Sequence, residues 1–171
     1  MPAIIDLHSH TTASDGADTP TELIAHAHRA GINVLGLTDH DTTSGWDEAS
    51  AALGGTQMTL IRGIELSAQV IDDIPGAIPR SVHLLGYLPD PERPRLWEET
   101  VRIRRHRDDR LRLMVDKLSV DFDITWDEVS AHIPPGATPG RPHIAHILIE
   151  KGYFVDTTAA FLLLRPFLPP F

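Results

Sequence analysis

Two imidazoles and a carboxylate stand close together near the N-terminus, in the run Asp6-Leu7-His8-Ser9-His10-Thr11-Thr12-Ala13-Ser14-Asp15-Gly16. The apolar stretch Ala3-Ile4-Ile5 precedes them, so the pair falls at the end of what reads as a buried strand, Ala3 to Leu7. Strand side chains repeat with period two, which sends His8 and His10 to the same side. Two nitrogen donors aimed at one point, with an oxygen donor a few residues on, are the first half of a transition-metal site.

The pattern recurs downstream. Asp39-His40-Asp41 ends the apolar stretch Val34 to Thr38, Glu65 ends Thr59 to Glu65, and His83 lies within Ser81 to Leu88. The C-terminal ends of parallel strands open on one face, where α/β active sites are built. His8, His10, Asp15, His40, Glu65 and His83 would therefore converge. Mixed nitrogen and oxygen donors suit Mn, Zn or Fe, whereas Ca or Mg favours an all-oxygen shell. Six donors exceed the needs of one tetrahedral ion, so two or three ions are expected, with Glu65 as the bridging carboxylate.

Each residue taken singly has an ordinary reading. His8 or His10 could be a surface or capping residue, and Asp15-Gly16 a plain turn. The Thr38–Thr43 run could be a polar loop capping the next helix. Glu65 could pair with an arginine, and His83 could be a satisfied core histidine. The recurrence at four strands is what favours a shared site.

The elements that must position these residues alternate. Thr19-Pro20-Thr21-Glu22 predicts a helix start, with Leu23, Ile24 and Ala27 facing inward and Gly31 as the stop. A short helix is expected over Trp46 to Leu53. Strand–helix–strand alternation argues for an α/β fold with a parallel sheet. The character changes near Pro89 to Pro94. A long helix is expected over Arg95 to Leu118, with Trp97, Val101, Leu111, Met114, Val115 and Leu118 on one face, followed by helices over Trp126–Ile133 and His143–Lys151. Arg102, Arg104, Arg105, Arg107, Arg110 and Arg112 read as the solvated face of the long helix, offset by Glu98, Glu99, Asp108 and Asp109, or alternatively as an oligonucleotide guide.

At 171 residues, 42% hydrophobic and 23% charged, the chain has the composition of a globular domain. The formal charge of −9 disfavours stable binding to duplex nucleic acid, though bound divalent ions would reverse the local sign for an acidic substrate. There is no cysteine, hence no disulfide and no thiolate metal site. No apolar run approaches the roughly 20 residues of a membrane span, and no secretory signal is visible, so a cytoplasmic location is expected.

The motifs Asp-Leu-His8-Ser-His10-Thr-Thr-Ala-Ser-Asp15-Gly, Leu-Thr-Asp39-His40-Asp-Thr, Ile-Arg-Gly-Ile-Glu65-Leu-Ser and Val-His83-Leu-Leu-Gly-Tyr resemble the first motifs of the polymerase and histidinol phosphatase (PHP) family. The chain is most similar to that family's stand-alone bacterial metal-dependent phosphoesterases. Gly140-Arg141-Pro142-His143-Ile144-Ala145 also resembles a segment of their helical insertion. The resemblance implies a distorted (β/α)7 TIM-like barrel with an inserted helical subdomain, and a trinuclear site that hydrolyses phosphoesters. It implies that His8, His10 and Glu65 hold one ion, that Glu65 bridges to a second held also by His83, and that Asp15 and His40 hold a third.

The family's later His-Pro and Asp-x-His motifs have no match here. The expectation is an incomplete barrel: residues 1–90 as its N-terminal part with the metal motifs, 91–171 as the helical insertion, and the barrel due to resume within Phe161–Phe171. A metal-bound water would attack the phosphorus. Asp39 would orient the His40 imidazole. Arg141 is a candidate phosphate clamp or else a solvated helix-start arginine, and His143 a leaving-group partner or else a packing residue. The expected substrate is a small phosphorylated molecule, a 3',5'-nucleoside bisphosphate or short oligoribonucleotide. Histidinol phosphate is an alternative. A truncated, non-catalytic metal- or phosphate-binding remnant is the rival from another class.

Overall fold

In the computed structural model, which describes residues 2–71, 79–90 and 93–164, the helix signal at Thr19 forms as expected. The Thr19 hydroxyl accepts from the Glu22 amide and the Glu22 carboxylate accepts from the Thr19 amide, a reciprocal cap that starts α1 (Pro20–Arg29). The strands are β1 (Ile5–Ser9), β2 (Val34–Leu37), β3 (Thr59–Val70) and β4 (Arg80–Tyr87), and α2 (Trp46–Ala52) lies between β2 and β3. Ile24, Ala27, Leu35, Leu37, Trp46, Ala49 and Met58 form the core between α1, α2 and the sheet.

The sheet order is β1-β2-β3-β4. β1 and β3 flank β2 in parallel, but β4 runs antiparallel to β3, which corrects the expectation of a wholly parallel sheet. The cause is the length of β3. It continues past Glu65 to Val70, leaving only residues 71–79 before β4, and a parallel crossover needs about a dozen residues or more. The sheet curls, so that the Tyr87 hydroxyl at the end of β4 donates to the Leu7 carbonyl of β1 at 3.0 Å. Gly36 makes the close approach possible: a Cβ there would stand 2.6 Å from the Leu7 carbonyl oxygen. β1 is not the buried strand the sequence suggests. Ile4 and Ile5 are 51% and 58% exposed, and β1 has β2 as its one sheet neighbour among the described residues.

The remaining helices are α3 (Pro94–Leu118), α4 (Trp126–Ala131), α5 (Arg141–Glu150) and α6 (Thr157–Leu164). α3 spans two cores. Its first turns bring Trp97 edge-on to Trp46, with ring centroids 6.3 Å apart. Its last turns bury Leu111, Met114, Val115 and Leu118 against Ile124, Val129, Ile144, Leu148 and Leu164. Val101, expected on the inner face, is exposed instead, and Thr100 takes the buried position. Residues 161–164, where the barrel was expected to resume, are the end of α6, packed on α5. The rest of that stretch, 165–171, and residues 91 and 92 of the expected boundary lie outside the described residues. Among the described residues no helix is long and apolar enough to cross a membrane.

Candidate metal centre

Glu65 is the hub of the site. One of its carboxylate oxygens, Oε2, lies 2.7 Å from His8 Nε2 and 3.0 Å from His10 Nε2. The other, Oε1, lies 2.5 Å from His83 Nδ1. The backbone sets this convergence. Just beyond β2, His40 bridges to Glu65: the Glu65 amide donates to the Asp39 carbonyl and the Asp41 amide to the Glu65 carbonyl. In the β3–β4 ladder Ser67 pairs with His83 and Glu65 with Leu85, so Glu65, Ser67, Ser81 and His83 share one face by the period of two.

Asp15 arrives on a tight loop. The amides of Ser14 and Gly16 both donate to the Thr11 carbonyl, and a Cβ on Gly16 would stand only 2.4 Å from the His10 carbonyl oxygen. The Asp15 carboxylate then lies 3.6 Å from His10 Nδ1 and 3.5 Å from His40 Nε2. Three overlapping groups result: His8, His10 and Glu65; His10, Asp15 and His40; His40, Glu65 and His83. All six expected donors come together.

Protons alone satisfy this arrangement poorly. His8 Nε2 and His10 Nε2 are 3.1 Å apart and face the same carboxylate oxygen, so one proton can bridge only one pair at a time. A divalent cation would serve all three donors at once. His40 Nδ1 is buried without a hydrogen-bond partner among the described residues, 3.7 Å from Glu65 Oε2. Burial is also the main reason the His40 imidazole titrates low, at about 4, so it is neutral and lone-pair-bearing near pH 7. Burial would raise the Glu65 carboxyl, but hydrogen bonds from His8 and His83 and the neighbouring imidazoles outweigh it and hold the group below its usual value. The donor set fits divalent transition ions.

Asp39 does something other than the expected contact with His40. Its carboxylate accepts from the Thr11 amide at 2.7 Å, the Thr11 hydroxyl at 2.7 Å and the Ser14 hydroxyl at 2.6 Å. Ser14 in turn stands 3.4 Å from His10 Nδ1, so Asp39 organises the loop carrying His10 and Asp15. Desolvation raises the Asp39 carboxyl above its usual range despite these bonds.

The sequence reading missed the cationic wall. Arg102, Arg105 and Arg112 are exposed as expected, but Arg104, Arg107 and Arg110, one turn apart, lean inward. Arg107 donates from Nε to Asp41 at 2.8 Å and from Nη2 to the Ser67 hydroxyl at 2.6 Å, while Asp41 is fully buried. Arg110 lines the pocket beside Asp15, His40 and His83, and burial brings its guanidinium down to about 10. The three-residue spacing was the available signal. Arg141 lines the same pocket, its guanidinium 5.3 Å above the Phe161 ring. His143 is not on the pocket wall: its Nδ1 lies 3.1 Å from the Gly140 amide nitrogen, at the start of α5.

Residues 6–154 match the model of the PHP domain. The chain is 34% identical to a 5'-3' exoribonuclease of Haemophilus influenzae over 157 residues, covering 91% of this chain and 54% of that protein. It is also 34% identical to a 3',5'-nucleoside bisphosphate phosphatase of Chromobacterium violaceum over 175 residues, 98% of this chain and 56% of the relative. The crystal structure of a predicted metal-dependent phosphoesterase from Bifidobacterium adolescentis superposes with a TM-score of 0.83 at 38% identity, covering 94% of this chain and 55% of that one. This chain therefore spans about half the length of the curated relatives it matches. A family match over so much of the chain, together with strand ends that gather the motif residues around Glu65, makes this protein a member of the PHP domain family.

Proposed function

We propose that this chain carries the metal centre of a phosphoesterase acting on small phosphorylated nucleotides, 3',5'-nucleoside bisphosphates or short oligoribonucleotides. The observation that carries the reading is a Glu65 carboxylate shared among His8, His10 and His83, opening beside a pocket walled by Arg107, Arg110 and Arg141. In this reading His8, His10 and Glu65 hold one ion, Glu65, His83 and His40 a second, and Asp15, His40 and His10 a third, the ions being Mn, Zn or Fe. Bound ions supply an acidified water nucleophile and neutralise charge gathering on the phosphoryl oxygens. The relatives' names support the substrate class, and the incomplete (β/α)7 barrel over 1–90 with a helical insertion over 91–171 belongs to the same proposal.

The chain's own residues do the rest. Glu65 and the imidazoles fix the electrophilic corner, with the Asp39–Ser14 contacts restraining the loop that carries His10 and Asp15. Arg110 and Arg141 present guanidinium groups to phosphate oxygens, while Leu111, Met114 and Phe161 offer an apolar wall to a base or ribose. His143 spends Nδ1 at the helix start, which restricts any leaving-group role to Nε2.

The test measures bound metal and phosphate release from a nucleoside 3',5'-bisphosphate, a short oligoribonucleotide and histidinol phosphate. Stoichiometric metal with turnover of either nucleotide supports the proposal. Metal without turnover of any substrate would make this chain a binding remnant, and preference for histidinol phosphate would move the substrate class.

A further inference from the structure

A second gathering of imidazole and carboxylate lies at the junction of α4 and α5 and shares no residue with the Glu65 cluster. Thr125 and Glu128 form a reciprocal cap that starts α4, and His132 ends it. On α5, His146 and Glu150 are four residues apart and so occupy one helix face. His132 Nε2 lies 3.5 Å from Glu150 Oε2, His146 Nε2 lies 4.0 Å from the same oxygen, and the two rings are 5.2 Å apart.

The tautomer of His132 is decided by its other nitrogen. Nδ1 is 2.9 Å from the Glu128 carbonyl oxygen, which can only accept, so Nδ1 carries the proton. In the neutral ring, Nε2 then points a lone pair toward Glu150. A lone pair facing a carboxylate repels it unless a proton or a cation stands between them. An imidazole anchored through one nitrogen to a backbone carbonyl, with the other nitrogen free, is the arrangement metal-bound histidines adopt. Lys151, the adjacent cation, is turned onto Glu128 at 2.6 Å, which leaves Glu150 to the imidazoles.

We propose that His132, His146 and Glu150 form a surface site for one zinc-class divalent ion, stapling α4 to α5. Tetrahedral zinc with bonds near 2.0 Å separates its ligands by about 3.3 Å, so small side-chain rotations close the present distances. Two nitrogens and one oxygen with an open fourth position select Zn, Co, Ni or Cu over Mg and Ca. The three side chains are 39%, 60% and 57% exposed, so an ion reaches them from solvent. Because α5 begins at Arg141, the staple also steadies the helix that carries this pocket residue. None of this depends on the phosphoesterase reading.

The experiment is equilibrium dialysis of the chelator-stripped full chain against zinc, with bound metal counted, for wild type, His146→Ala and Glu150→Gln. Both variants should bind one equivalent fewer than wild type, or hold that equivalent more than about tenfold more weakly. Adding His146→Ala to a His8→Ala/His10→Ala variant should likewise remove one equivalent. In that background zinc should also raise Tm, and the rise should be smaller with the third substitution. If that double variant does not fold, the wild-type comparison with the two exposed single variants still decides. Equal zinc counts and affinities in wild type and both single variants would overturn the proposal, as would equal zinc counts in the double and triple variants.

Discussion

The strand-end half and the helical half approach the same pocket by different means. Around Glu65 the donors are set by backbone: a bridge at His40, a ladder register at His83, a hydrogen-bonded loop under Asp15. Short side chains on pinned backbone leave little freedom, which suits ions that demand fixed distances. The helical half contributes long arginines from α3 and α5, anchored at their heads through Asp41, Ser67 or an aromatic face. Charge is thus placed rigidly around the proposed ions and more adaptably along the wall proposed for the substrate.

The sharpest way to break this contrast is at Glu65. Glu65→Gln keeps the shape but removes the shared charge, and both metal content and phosphoester turnover should fall, the latter by more than about a hundredfold. Retained turnover would mean the carboxylate is not the hub. Next is the link between halves: Arg107→Ala strands a fully buried Asp41 carboxylate and should cost about 3–5 kcal/mol, read as a Tm lowered by roughly 10 °C. Adding Asp41→Ala should recover part of that loss.

Leu118→Ala tests the helical core alone. It should destabilise by about 2–5 kcal/mol while leaving metal affinity at the Glu65 cluster unchanged in calorimetric titration. A matching loss of metal affinity would show that the strand ends depend on that core. The smallest effect is a pH dependence of the metal-free protein. His40 titrates at about 4 when folded against an ordinary 6.5, so between those values the unfolded chain takes up the proton first. Stability from this group is complete above pH 6.5 and lost as pH falls toward 4, and His40→Gln should flatten that part of a denaturation-versus-pH curve.

The sequence showed most donors plainly because they lie where an apolar run turns polar, a signal that survives without any knowledge of contacts. His8, His10, His40 and Glu65 carry it, while Asp15 lies in the loop that follows and His83 within its strand. Antiparallel β4 was hidden by a strand boundary: ending β3 at Glu65 leaves room for a crossover that the observed end at Val70 removes. Arg107 and Arg110 were hidden by abundance, since six arginines within eleven positions of α3 look solvated until a partner as specific as Asp41 is placed opposite one of them. Asp41 itself adopts φ 52°, a left-handed backbone that aspartate tolerates better than most residues and that its bonds to Ser67 and Arg107 secure. α6, apolar on every side, offered no helical period to read.

One consequence follows from the length of α3. A rod of 25 residues whose two ends are embedded in different cores acts as a mechanical tie beam. Heat should therefore melt sheet and helices in a single calorimetric transition. Ions bound at the strand ends should raise the temperature at which the distant Leu118 neighbourhood opens to hydrogen exchange.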